Sequence, residues 1–144
     1  MKSAFITRSI NNNSPFYKIL KNQGFEVYGC SFIEFKALQI SNLPNVDWIF
    51  FYSKNGIRFF FEQAERLGFN IKNLDYKWAT IGQASANYLA NFNIKADFIG
   101  TGEPQTTSKA FLQFAKKQQV LFPRAANSKK SVQHILKNQI KQID

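Results

Sequence analysis

Apolar and polar positions along this chain keep changing period. Residues 3–7 read as a strand. Ser14 and Pro15 then offer an N-cap and a proline at the first helical position. Phe16, Ile19 and Leu20 follow at helical spacing, and Gly24 stands where a helix-ending glycine belongs. Residues 26–35 read as one long extended stretch and residues 38–44 as a linker. A second series begins at Asp47. Trp48, Ile49, Phe50 and Phe51 form a continuous apolar run, the pattern of a strand buried on both faces. After a polar turn, Ile57, Phe60, Phe61, Ala64 and Leu67 fall on one helical face, and Gly68 can end that helix. Residues 78–81 predict a strand, 85–92 a helix and 97–99 a short strand. Thr106 or Thr107 is the expected cap of a helix carrying Phe111, Phe114 and Ala115. Residues 120–122 predict a strand, and Val132, Ile135, Leu136, Ile140 and Ile143 a last helix.

Strand and helix in such regular alternation predict an α/β fold, a mainly parallel sheet with flanking helices. Ligands in these sheets bind in the crevice beyond the carboxyl ends of the strands. The loops there, 7–14, 52–56, 82–85, 100–107 and 123–128, are rich in Ser, Thr, Asn and Gly. The expected last helix has no strand after it, and the 26–35 stretch is longer than one buried strand needs. Both suggest a natural protein that continues past Asp144.

Composition narrows the classes. The chain has 144 residues, of which 44% are hydrophobic and 19% charged, so a real core is expected. Its 16 Phe predict a core filled by rings. A lone Cys30 cannot close an intrachain disulfide. No apolar run is long enough to span a membrane, and the N-terminus lacks a signal-peptide pattern, so a cytoplasmic protein is expected. Lys and Arg number 19 against 9 Asp and Glu, a net charge of +10. Residues 1–35 carry +2, residues 36–105 carry +1 and residues 106–144 carry +7. Such a local excess points to an anionic partner.

The candidate chemistry is sparse. Neither GxGxxG nor a phosphate-loop motif occurs, and one Cys and one His are too few for a metal site. His134 shares a stripe with Lys130, Lys137 and Lys141 opposite the apolar face, where a solvated side chain is expected. Ser53, Lys54, Asn55 and Gly56 open a helix after a buried strand. They can cap it, and its free amides can hold a carboxylate or phosphate. Gly82 and Gln83 form a similar tight turn. Pro123 and Arg124 end a strand before Asn127, Ser128, Lys129 and Lys130, expected in a first helical turn. Two lysines there oppose the helix dipole, a conflict an anion would relieve.

These pieces, in this order, resemble the uroporphyrinogen-III synthase family. Phe5-Ile6-Thr7-Arg8 and residues 31–35 match its first strands. Asp47-Trp48-Ile49-Phe50-Phe51-Tyr52-Ser53-Lys54-Asn55-Gly56-Ile57-Arg58-Phe59-Phe60 is similar to its D-W-x-x-F-T-S-x-N-G-V-x-x-F-F. Residues 79–86 are similar to its A-x-h-G-x-x-T-A. Thr106-Thr107-Ser108 and Val120-Leu121-Phe122-Pro123-Arg124 match its T-S-E and V-L-L-P-R-G segments. Tyr52 stands where the family usually has Thr, Ala125 replaces a Gly, and Lys129 stands near a common Arg.

The resemblance implies two flavodoxin-like α/β domains in a longer chain. Residues 1–35 would begin the first domain and supply the linker strand, and 36–144 would form most of the second. It implies an anionic linear tetrapyrrole substrate, hydroxymethylbilane, closed to uroporphyrinogen III with inversion of the last ring, without metal or organic cofactor. It implies a monomer when full length, with neither nucleic acid nor membrane as partner. The implied substrate-binding residues are Arg8, Ser53, Lys54, Asn55, Gly82, Gln83, Thr106, Thr107, Ser108, Arg124 and Lys129. The family's candidate catalytic acid, a Tyr in the return segment, has no counterpart here, so the catalytic residue is unassigned. Two other classes fit the charge and fold: a basic α/β nucleic-acid-binding module and a flavodoxin-like regulatory or nucleotide-binding domain.

Overall fold

A computed structural model describes residues 1–71 and 74–143. Asp144, the end of the expected second domain, lies outside the described residues. The chain forms two compact units, Met1–Lys36 and Ala37–Asp144.

The first unit is strand β1 (Lys2–Ile6), helix α1 (Pro15–Asn22) and strand β2 (Phe25–Gly29). The two strands pair in parallel from Lys2↔Phe25 to Ile6↔Gly29, and α1 supplies the crossover such a pair needs. Pro15 opens α1 as expected, although the Ser14 side chain makes no capping bond. Gly24, at φ +79°, ends it in the left-handed conformation that glycine adopts freely. Phe5 and Tyr28, opposite each other in the register, stack at 6.0 Å on an exposed face. The extended stretch expected over 26–35 stops at Gly29. Its partner β1 ends at Ile6, and beyond it Ser31 Oγ bonds the Ile33 carbonyl (2.9 Å), a local turn that competes with strand pairing.

The second unit begins with β3 (Trp48–Phe51), α2 (Lys54–Arg66), β4 (Lys77–Thr80) and α3 (Gln83–Leu89). It continues with β5 (Phe98–Ile99), α4 (Pro104–Ala115), β6 (Gln119–Leu121), α5 (Ser131–Leu136) and β7 (Lys141–Ile143). The five strands lie in the order β5-β4-β3-β6-β7, and every pairing is parallel. The expected α/β fold, a parallel sheet with flanking helices, is therefore the observed one. Central β3 shows why its run is wholly apolar. Trp48 and Phe50 point into one core with Phe111, Val120, Phe122, Val132 and Leu136. Ile49 and Phe51 point into the other with Ile57, Phe60, Ala64, Trp78 and Leu89. Rings fill both sides: Phe111 lies 5.1 Å from Phe50 and 5.2 Å from Trp48, and Phe51 stacks on Trp78 at 6.2 Å. Asp47 pins the start of β3 to both neighbours. Its carboxylate accepts from Gln119 N–H (2.8 Å) and its carbonyl from Lys77 N–H (3.0 Å).

Three element boundaries differ from the sequence pattern. Helix α3 starts at Gln83 and gives way to a 3-10 turn at Ala90–Phe92. Helix α4 starts at Pro104 with Glu103 as its cap, rather than at Thr106 or Thr107. The last expected helix stops at Leu136, and the chain returns as β7 beside β6. Val132, Leu136 and Ile140 are all buried, which mimics a helical period. Lys137, at φ 38°, breaks the helix, and β6 gains a partner through Lys141 N–H to Gln118 C=O and Phe122 N–H to Ile143 C=O. Ile135, expected on the apolar face, is exposed. The helix without a following strand is thus corrected. Among the described residues no helix is long and apolar enough to cross a membrane.

Candidate functional site

Because all five strands run the same way, the loops after β3, β4, β5 and β6 share one edge of the sheet. From β3 the chain steps outward to β4 and β5, then crosses back to place β6 on the other side of β3. Ligands of open parallel sheets bind at such a reversal, so the space beyond the carboxyl ends of β3 and β6 is the candidate crevice.

Ser53, Lys54, Asn55 and Gly56 line one side of the crevice. Ser53 caps α2, its hydroxyl accepting from Gly56 N–H (3.2 Å). The N–H groups of Lys54 and Asn55 lie in the first turn, where no intrahelical acceptor exists. Exposed Lys54 places its ammonium 5.9 Å from the Tyr88 ring. Pro123 and Arg124 form the other side. A Cβ on Gly56 would meet the Pro123 carbonyl oxygen at 2.8 Å, so the two loops touch backbone to backbone. The Arg124 guanidinium folds onto its own loop and donates to the Ala125 and Ala126 carbonyls, both at 3.1 Å. Lys129 is exposed ahead of α5, and Lys130 is the N-cap position. Both lysines therefore precede the helix, so the expected conflict in its first turn does not arise. Tyr52, at the floor, accepts from Gln133 N–H in α5 (3.2 Å), and its ring lies 5.9 Å from Phe122.

Gly82 and the 100–107 loop form a second cluster. A Cβ on Gly82 would lie 3.1 Å from the Gly102 backbone. Gln83 is exposed and donates to Asn87 Oδ1 (2.7 Å), along α3's own surface. Thr107 and Ser108 are fully buried. Thr107 Oγ1 accepts from Thr101 N–H (3.1 Å), and Ser108 Oγ donates to the Pro104 carbonyl (2.6 Å). Exposed Thr106 bonds Thr101 Oγ1 (2.6 Å) and Glu103 Oε2 (2.8 Å). The Glu103 carboxylate also accepts from Thr106 N–H (2.7 Å) and Gln105 N–H (3.0 Å). Those bonds, Thr106 N–H foremost, hold its carboxyl below the usual range, and Lys109 adds to the effect. Arg8 is exposed in the loop after β1 of the first unit.

Of the eleven expected residues, ten thus lie along the carboxyl edge of the second unit's sheet. Sequence reasoning missed Glu103 and Tyr52. A proline at 104 was the available signal, since Pro favours the first helical position and places the cap at 103. Among the described residues no three His, Cys, Asp or Glu side chains gather where a metal ion could be held.

The model of the family described as uroporphyrinogen-III synthase HemD matches residues 14–141. The chain belongs to the uroporphyrinogen-III synthase family. Among solved structures, it is similar to a triple-mutant selenomethionine derivative of uroporphyrinogen III synthase from the extremely thermophilic bacterium Thermus thermophilus. The identity is 13%, the TM-score 0.62, and the match covers 99% of this chain and 61% of that one. A second Thermus thermophilus uroporphyrinogen III synthase structure matches at 12% identity and TM-score 0.55, over 100% of this chain and 62% of that one. A wild-type native form from the same organism matches at 12% identity and TM-score 0.57, over 99% and 60%. At these identities the likeness concerns the fold. The chain spans about three fifths of the length of these three structures. No curated protein matches.

Proposed function

We propose that this chain is part of a uroporphyrinogen-III synthase, a lyase of haem biosynthesis in the cytoplasm. Residues 36–144 would be most of its second domain, and residues 1–35 the start of the first. The whole protein, a monomer, would take hydroxymethylbilane, assist loss of its terminal hydroxyl, invert the last pyrrole through a spiro intermediate and close the ring.

The observation that carries the reading is the strand-order reversal at β3/β6, flanked by Lys54 and the first-turn amides of α2 on one side and by Arg124 and Lys129 on the other. A flexible substrate bearing many carboxylates closes to the wrong isomer unless its conformation is held. Fixed donors along a rigid sheet edge supply that restraint, worth several kcal/mol when reacting groups are well oriented. Ser53, Lys54, Asn55, Gly82 and the Arg124–Lys129 loop would contact the substrate. Thr107 and Ser108 would hold the 100–107 loop in shape, and Gln83 and Thr106 would border it. Arg8 would contribute from the first domain.

Adding hydroxymethylbilane to the full-length protein and resolving the product isomers tests the reading. Type III product is expected, and only type I product would refute it. The 144-residue chain by itself is expected to give little type III product. Steeply salt-dependent binding to generic DNA or RNA, without isomer control, would favour the nucleic-acid-binding module instead.

A further inference from the structure

Four helices, α2 to α5, start along the carboxyl edge, and α2 alone carries a lysine or arginine in its first turn. A cation there opposes the helix dipole, and α2 has no acidic residue in that turn to offset it. Among the described residues no carboxylate forms a salt bridge with Lys54. What meets its ammonium is a ring of another helix. Tyr88 of α3 lies 5.9 Å away, within the range of a cation–π attraction. That ring is itself held. Phe92 meets it edge-on at 5.9 Å, Phe92 stacks on Phe61 at 4.2 Å, and Phe61 stacks on Trp78 of β4 at 6.0 Å. A continuous line of rings thus runs from the sheet to the lysine at the surface. Side chains lean toward the N-terminus of their own helix, so the Tyr88 ring is directed toward the edge where α3 begins.

We propose that Tyr88 is a positioning residue for Lys54: its ring holds the ammonium at the α2 start, where it meets a carboxylate of the substrate. A lysine in water samples many rotamers and loses that freedom when it binds an anion. One already held over a fixed ring loses less, so the anion binds more tightly. The incoming negative charge also relieves the conflict between Lys54 and the α2 dipole. The attraction comes from the face of the ring and not from its hydroxyl, so phenylalanine can replace tyrosine and an aliphatic side chain cannot. The substrate's part in this rests on the synthase reading above. The contact between ring and ammonium does not, so each is measured separately.

By NMR on this chain, the Lys54 side-chain protons nearest the ammonium should resonate upfield of those of the other lysines, because they lie over the ring. Tyr88→Leu should abolish that shift and Tyr88→Phe should keep it. Lys54 signals in the wild type that match those of solvated lysines would overturn the contact, a result that needs no variant to fold. The second measurement is KM for hydroxymethylbilane in the full-length protein. Tyr88→Leu should raise KM by about two- to fivefold, the change that losing one exposed cation–π contact corresponds to, with kcat within about twofold. Tyr88→Phe should restore the wild-type KM. In a Lys54→Gln background, Tyr88→Leu should raise KM no further, since the ring acts only through the lysine. An unchanged KM in Tyr88→Leu would overturn the proposal. So would an equal rise with and without Lys54, which would show that the ring serves only to pack α3. Failure of the synthase reading would appear separately, as type I product from a full-length protein whose Lys54 shift is intact.

Discussion

Replacing Gly56 by alanine sets two opposing effects against each other at the mouth of the crevice. Gly56 is the third residue of α2 and does not have a left-handed φ, so alanine fits the backbone conformation. In an exposed helix, alanine would gain about 1 kcal/mol over glycine. Here the new Cβ would sit 2.8 Å from the Pro123 carbonyl oxygen, 0.6 Å inside the 3.4 Å at which ordinary contact begins. The atom it meets is backbone, at the end of β6, so no flexible side chain can swing aside. Overpacking of that kind costs about 1–3 kcal/mol. The clash should win, and urea unfolding should show Gly56→Ala less stable by about 1 kcal/mol. In the full-length protein the same substitution should push the α2 start and the Arg124 loop apart, and a displacement of that size should lower type III formation by about tenfold. A variant stabilised by the full propensity gain, with unchanged isomer control, would refute the claim that these two loops touch.

Phe111→Ala removes a buried ring that touches Trp48, Phe50 and Phe98 and should cost about 3–5 kcal/mol in chemical denaturation; a loss under about 1 kcal/mol would mean that the α4 face is not packed as described. Tyr52→Phe keeps the ring and removes the hydroxyl that accepts from Gln133 N–H, so α5 should loosen, with a loss of about 1 kcal/mol and faster amide exchange at Gln133; unchanged exchange would count against that bond. The Glu103 carboxyl is held below its ordinary value of 4.5, so its stabilising effect is complete above that pH and fades as the pH falls through the lower, folded-state value. The stability gap between wild type and Glu103→Ala should therefore be constant near neutrality and shrink below pH 4.5, and a gap independent of pH would refute it.

The central sheet was legible because burial on both faces leaves a run such as Trp48-Ile49-Phe50-Phe51 with nothing polar in it. The crevice was legible for a related reason: strand-to-helix loops in a parallel sheet all open on one edge, and Ser53 caps α2 as its position requires. The C-terminus misled because Val132, Leu136 and Ile140 are spaced as a helical face, yet the third of them is buried just ahead of a strand. Periodicity cannot separate those cases when the break falls on Lys137-Asn138, which carries no glycine or proline. The β7 pairing is a long-range gain for β6 that no local pattern records. Glu103 was overlooked because two threonines follow it, and threonine also caps helices. Proline at 104 decides between them only when read together with the acid before it.

The basic excess also divides once the fold is known. Residues 104–143 contain eight Lys and Arg and no acid, which as a sequence reads as a single anion-attracting block. In the structure, Arg124, Lys129 and Lys130 lie after β6, on the carboxyl edge. Lys116 and Lys137 lie at the ends of α4 and α5, and Lys117 and Lys141 join them at the amino ends of β6 and β7. Cations at helix C-termini complement the helix dipole, so the amino-edge group has a structural reason of its own. The two edges are separated by at least the length of β3, whose four residues span about 13 Å. That exceeds the Debye length of about 8 Å at physiological ionic strength, so the amino-edge lysines contribute little to the potential at the crevice. Neutralising Lys116, Lys117 and Lys141 together in the full-length protein should therefore leave KM for hydroxymethylbilane within about twofold at physiological salt, whereas Lys54→Gln with Lys129→Gln should raise it by about tenfold or more. At low salt the gap between the two variants should narrow, because the screening length grows to about 30 Å at 0.01 M. If the amino-edge variant lost as much affinity as the crevice variant at physiological salt, the substrate would have to lie along the other edge of the sheet, and the crevice between β3 and β6 would lose its claim to be the binding site.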